Sequence, residues 1–135
     1  MLKRLLDIGF REEGKWTLTE DKIVATLGSE ANSRNILYAF VDERKVLYIG
    51  KTTQALRVRI NGYQNPGPTQ STNIRINKKL KEQLDPEKTG SKSFVSILVL
   101  PDHGLLKYGG FHLNLAAGLE DSIIKELNPE WNINH

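Results

Sequence analysis

The residues whose types and spacing could do chemistry lie mid-chain and near the end. Gly50-Lys51-Thr52 follows an apolar run and precedes a helical pattern, where a phosphate-binding loop would sit. That loop needs a second glycine upstream, at the position held by Lys45, and Val46 to Ile49 are strand-like. A nucleoside triphosphatase is therefore excluded. What remains is a basic stretch: Arg44 to Tyr63 contains five Lys or Arg and no Asp or Glu. Arg75, Lys78, Lys79 and Lys81 follow on the next helix. With Arg57, the residues Arg75, Lys78 and Lys79 are expected to face nucleic-acid phosphates; the alternative is an ordinary solvated charged face.

A second signal comes from the last helix, Leu115 to Leu127. Ala116, Leu119, Ile123, Ile124 and Leu127 form its apolar stripe, and Asp121, Ser122, Lys125 and Glu126 lie opposite. Glu120 falls about 40° from Ala116, inside the stripe. A carboxylate there is costly without a partner. Either it sits at a rim and escapes to solvent, or it is held at a site to bind a metal or another cation. In the helix over Gln54 to Tyr63, the same geometry puts Leu56, Arg59, Ile60 and Tyr63 on one face and turns Arg57 and Asn61 away.

These side chains need elements to position them, and the chain has room for one domain. Its 135 residues are 39% hydrophobic and 26% charged, with net charge +3. That is a globular composition with mild basicity, which permits an acidic partner without requiring one. No apolar run is long enough to span a bilayer, and Met1 to Phe10 does not read as a secretory signal. Cysteine is absent, which excludes disulfides, zinc ribbons and thiol nucleophiles and fits a cytoplasmic protein.

The pattern predicts a short helix stopped near Gly9, then a hairpin from Trp16 to Leu27 around Glu20-Asp21. Residues 1–34 are taken as an N-terminal extension and 35–135 as the main domain. Asn35 to Val41 and Val46 to Gly50 are strands joined by a turn at Asp42 to Lys45. Gln64 to Thr72 is a loop, and Ser71, Thr72 or Asn73 caps a helix from about Ile74 to Leu84. Ser93 to Leu100 is a third strand and Pro101 to Gly110 a glycine-containing loop. The expected fold is α+β: a small antiparallel three-stranded sheet flanked by helices. Trp16 and Trp131 are expected in the core or a lid, and His103 and His112 in loops.

At this point the chain resembles the GIY-YIG endonucleases. Ile36-Leu37-Tyr38 and Tyr48-Ile49-Gly50 look like their two signature triplets, with Ile36 and Leu37 in the glycine and isoleucine places of the first. Lys51, Arg59, Tyr63, Glu120 and Asn132 match further family positions in order. The loop GYQNPGPTQSTN is most similar to a subgroup that includes type II restriction enzymes. The match covers about residues 35–133 and leaves the N-terminal segment outside.

The resemblance implies a divalent-metal-dependent DNA endonuclease. Glu120 would anchor Mg²⁺ or Mn²⁺; one inward carboxylate suits a single water-rich ion better than a two-metal clamp. Tyr38 would be the general base, Arg59 would hold a phosphate oxygen, Tyr48 and Tyr63 would position water or phosphate, and Asn132 completes the set. An ordinary phenol is only about 1% ionised at pH 8, so a cation must lower the pKa of Tyr38, and Lys51 is the expected one. An odd-length turn would set Tyr38 across from Tyr48, but the register is not fixed by the sequence. Two other functions fit the same residues: a DNA-binding module without catalysis, and a repair nuclease that works with a partner chain. Cutting both strands with one site per chain implies a homodimer or two successive nicks.

Overall fold

Glu20 and Asp21 both have positive φ, 51° and 65°, and make the tight turn between β1 (Arg11–Thr19) and β2 (Lys22–Leu27). This hairpin, which follows α1 (Leu2–Asp7), lies where the sequence predicts it. The structure is a computed structural model that describes residues 1–89, 94–101 and 107–133. β3 (Ile36–Asp42) and β4 (Lys45–Thr52) form the second hairpin, which narrows the expected turn to Glu43-Arg44. Then come α2 (Leu56–Gln64), α3 (Ser71–Leu84), the short α4 (Pro86–Thr89) and β5 (Val95–Leu100). The small strands β6 (Lys107–Tyr108) and β7 (Phe111–His112) precede α5 (Leu115–Leu127).

The three expected strands are present, but the sheet has five, in the order β2-β1-β5-β3-β4. The N-terminal hairpin adds the other two by pairing β1 with β5, Trp16 opposite Val95. All neighbours are antiparallel. Strand periodicity revealed this hairpin but not its distant partner. The predicted loop over Pro101 to Gly110 ends in β6, turns at Gly109-Gly110 and returns in β7, which contains His112. His103 lies outside the described residues.

The sheet separates two apolar layers because strand side chains alternate between faces. One face carries Tyr38, Phe40, Tyr48, Val95, Ile97 and Val99 under α2 and α3, with Trp16 and Trp131 in the same core. The other carries Leu37, Ala39, Ile49 and Leu98 under α1 and α5. α5 buries Ala116, Ile123 and Leu127, the stripe expected of it. α3 starts at Ser71, earlier than expected, with Gln70 at the cap position, so Ser71, Thr72 and Asn73 are helical residues rather than caps.

α2 begins without a side-chain cap, and the N-terminal segment supplies the missing acceptors. The amide N–H of Leu56 donates to the carbonyl of Ser33 at 2.9 Å, and that of Arg57 to Ala31 at 2.8 Å. Glu13 holds this segment in turn: its Oε2 accepts the N–H groups of Gly28 and Glu30 at 2.8 and 2.9 Å. Residues before the second hairpin therefore set the helix that carries Arg59 and Tyr63.

Candidate active site

The turn and the register decide which residues meet. A two-residue turn alone would place Tyr48 opposite Ala39, on the face away from Tyr38. The pairing shifts between Phe40 and Val41, leaving Leu47 as an extra residue in β4. Beyond this bulge Phe40 faces Tyr48 and Tyr38 faces Gly50, so both tyrosines share one face. Tyr38 is not directly across from Tyr48; their ring centroids are 6.5 Å apart, one pair diagonal to the other. A Cβ at position 50 would lie 2.5 Å from the Tyr38 hydroxyl oxygen, so the glycine makes room for the ring.

α2 lays its buried face on this pair. The hydroxyls of Tyr38 and Tyr63 are 2.6 Å apart, and that of Tyr63 is 3.5 Å from Tyr48. Arg59 donates from Nε to the Tyr38 hydroxyl at 3.1 Å and stacks its guanidinium 4.3 Å above the Tyr63 ring. Its Nη1 donates to Oδ1 of Asn73 at 2.8 Å. Tyr38 and Tyr63 are wholly buried, whereas Tyr48 retains 7% exposure. Burial pushes the Tyr38 phenol above its ordinary range, although Arg59 opposes the shift. Tyr63 is pushed up further by the same cause.

Lys51 does not take the place expected of it. It follows Gly50 on β4, so its side chain leaves from the opposite face. There its Nζ lies 3.8 Å from Oε1 of Glu120. The cation beside Tyr38 is Arg59, and the Tyr38 pKa is raised rather than lowered. Glu120 does point inward and is half-buried; burial raises its pKa, and Lys51 partly offsets this. The seven expected site residues thus form two groups plus Asn132. The phenols and Arg59 lie under α2, and Lys51 with Glu120 lies under α5, on either side of the outermost strand.

Asn132 binds that strand's free edge. Its Oδ1 accepts the Ile49 N–H and its Nδ2 donates to the Ile49 carbonyl, both at 2.9 Å. The neighbouring Trp131 N–H donates to the Leu47 carbonyl at 2.8 Å. Asn132 thus grips the backbone between Tyr48 and Gly50 and touches none of the phenols through these bonds. Of the residues expected to face phosphates, Arg75 donates from Nη1 to the Trp131 carbonyl at 2.6 Å and is half-buried. Arg57 is exposed and donates to Asn32, Lys78 is exposed, and Lys79 is half-buried. Sequence reasoning missed Asn73 as a site residue. The available signal was its place on the stripe with Ile76, Leu80 and Leu84, where a polar side chain must find a partner.

No family model and no curated protein matches the chain. Solved structures do. A mutant of bacteriophage T4 EndoII superposes with a TM-score of 0.69 at 24% identity, over 98% of this chain and 98% of that one. The chain has the EndoII fold. It is an α+β architecture with an antiparallel sheet flanked by helices, as the element pattern predicts. The GIY-YIG N-terminal endonuclease domain of UvrC from Thermotoga maritima, a point mutant bound to the catalytic divalent cation, aligns at 19% identity over 77% of this chain and 88% of that one, TM-score 0.48. A restriction endonuclease in complex with product DNA aligns at 16% identity over 93% and 79% of the two chains, TM-score 0.46. The similarity to EndoII spans the N-terminal hairpin as well as the second one, so the five-stranded sheet belongs to the EndoII fold as a whole. Among the described residues no helix is long and apolar enough to cross a membrane.

Proposed function

We propose that the chain is a divalent-metal-dependent DNA endonuclease that hydrolyses phosphodiester bonds. The observation that carries this is the arrangement of Arg59: a half-buried guanidinium fixed by two phenols, Tyr38 and Tyr63, and by Asn73, across the edge strand from a lysine–carboxylate pair. Such preorganised charge at a sheet edge suits a phosphate and the charge that develops on it. The EndoII fold supports the same class.

Glu120 fits a hard cation that keeps most of its water. It is one partly buried carboxylate, and no group of three His, Cys, Asp or Glu among the described residues could enclose an ion. Mg²⁺ or Mn²⁺ held there would neutralise charge on the phosphoryl and leaving oxygens. Lys51 balances Glu120 before substrate arrives and then contributes a second cation to the phosphate. Arg59 takes a non-bridging oxygen with its planar fork.

The role expected of Tyr38 passes to Tyr48. Tyr38 and Tyr63 are wholly buried, whereas Tyr48 keeps 7% exposure, so of the three phenols it is the one we place against a water. Tyr48 would hold the attacking water and, as its phenolate, take that water's proton to become the neutral phenol while hydroxide attacks phosphorus; Tyr38 and Tyr63 stay neutral behind it and set Arg59. The substrate would lie across the edge of β4, between the face of Arg59 and the face of Glu120, with Arg57 and Lys78 as outer phosphate contacts. The test is supercoiled plasmid incubated with Mg²⁺, with and without chelator. Nicked or linear product only with the metal supports the proposal. Salt-sensitive binding without cutting would replace it with a binding module.

A further inference from the structure

We infer that Asn73 and Gln70 are positioning residues that set the guanidinium of Arg59 and tie it to the turn at Gly67. The inference rests on the endonuclease proposal for the role of Arg59. Asn73 is 6% exposed, and its amide is used at both ends. Oδ1 accepts from Arg59 at 2.8 Å and Nδ2 donates to Oε1 of Gln70 at 3.0 Å. The same Gln70 oxygen accepts the Gly67 N–H at 2.9 Å. An unbroken chain of hydrogen bonds therefore runs from the Tyr38 hydroxyl through Arg59, Asn73 and Gln70 to the turn backbone.

Gly62 makes the approach possible. It sits one turn after Arg59 on α2, and a Cβ there would come within 3.1 Å of the Asn73 amide nitrogen. Asn73 fixes one of the guanidinium's terminal nitrogens and Tyr38 its Nε, which leaves the plane of the fork no freedom to rotate. A guanidinium held this way meets a phosphate without reorganising. The turn from Gly67 to Gln70 immediately precedes α3, with Gln70 exposed, so its conformation is transmitted to Arg59.

Two measurements test this: the kcat and KM of plasmid nicking, and the arginine side-chain resonances in proton–nitrogen NMR, with Arg59 assigned through Arg59→Lys. Asn73→Ala is expected to lower kcat by up to roughly 100-fold with KM little changed. Gln70→Ala should lower it less. Gln70→Glu should restore the wild-type rate, because both of its bonds use an acceptor oxygen. Asn73→Ala should add little to Arg59→Lys. In the spectra, distinct Arg59 terminal N–H signals should average in Asn73→Ala and Gln70→Ala and remain distinct in Gln70→Glu. A full multiplicative loss in the Arg59→Lys background, or Arg59 signals unchanged by all three substitutions, would overturn the inference. Gln70 is exposed, so its variants keep the test alive if Asn73→Ala does not fold. If the wild type cuts no DNA, the endonuclease proposal fails while the spectra still decide the positioning.

Discussion

Tyr38 lies directly across the second hairpin from Gly50, and its ring fills the space that any side chain at position 50 would need. The glycine of the second triplet is thereby explained by the tyrosine of the first. Gly50→Ala should force the ring from its pocket and destabilise the fold by about 1–3 kcal/mol. Thermal unfolding measures it, and Tyr38→Ala/Gly50→Ala should be closer to Tyr38→Ala than additivity allows, because the added Cβ meets ring carbons Cζ and Cε2 at 2.5 and 2.7 Å as well as the hydroxyl. Unchanged stability in Gly50→Ala would contradict this packing.

The bulge at Leu47 makes a sharper prediction. Deleting Leu47 removes the bulge but leaves every pair of the ladder in place, with Tyr48 still opposite Phe40 on the face of Tyr38 and Tyr63. The deletion variant should therefore keep nuclease activity close to that of Leu47→Ala, because the bulge places Tyr48 by absorbing one residue. A loss of activity by orders of magnitude in a folded deletion variant, with Leu47→Ala unaffected, would contradict this register.

The buried phenols set the alkaline limit of stability. Tyr38 and Tyr63 have pKa values raised in the fold, while an unfolded phenol ionises near about 10. Above that pH the unfolded chain releases protons that the folded chain keeps, so stability falls as pH rises. Tyr38→Phe and Tyr63→Phe should each flatten this decline. The check is chemical denaturation at a series of alkaline pH values alongside tyrosine absorbance; a decline equally steep in both variants would contradict the assignment.

Glu120 should show the corresponding effect in acid. Its raised pKa means that the carboxylate is protonated at a higher pH than an ordinary glutamate, and metal requires the ionised form. Mg²⁺ affinity should therefore begin to fall above the usual carboxylate range. Lys51→Ala, which removes the cation that favours ionisation, should move the fall to still higher pH. Calorimetric titration across pH measures both, and a midpoint unmoved by Lys51→Ala would contradict the pairing.

The N-terminal segment should be indispensable to folding. Glu13→Ala removes a carboxylate that accepts two backbone N–H groups and should cost about 2 kcal/mol. Removing residues 1–34 would also expose the β5 edge and the core around Trp16. A truncated chain that unfolds cooperatively near the wild-type temperature would contradict this.

What the sequence showed was local. Periodicity found both hairpins, the face shared by Arg59 and Tyr63, and the inward turn of Glu120, because each depends on residues a few positions apart. The rest depended on pairing between remote residues. The union of β1 with β5 leaves no mark in either strand's own pattern. The bulge at Leu47 decides which tyrosines meet, and a run of apolar residues does not reveal it. Lys51 appeared to belong with Tyr38 because the two strands are adjacent, but strand alternation sends it to Glu120. Asn132 and Arg75 are expected among groups for substrate; that each also hydrogen-bonds to backbone, at Ile49 and Trp131, is not legible because the partners are remote in sequence.

The most direct test is the rate of plasmid nicking in Mg²⁺ by wild type, Glu120→Gln, Arg59→Lys and Tyr48→Phe, each confirmed as folded by its thermal unfolding. All three variants are expected to fall by at least about 100-fold, because metal anchor, phosphate clamp and water-holding phenol serve one reaction. Wild-type rates in folded Glu120→Gln and Tyr48→Phe would place the cutting elsewhere and contradict the account.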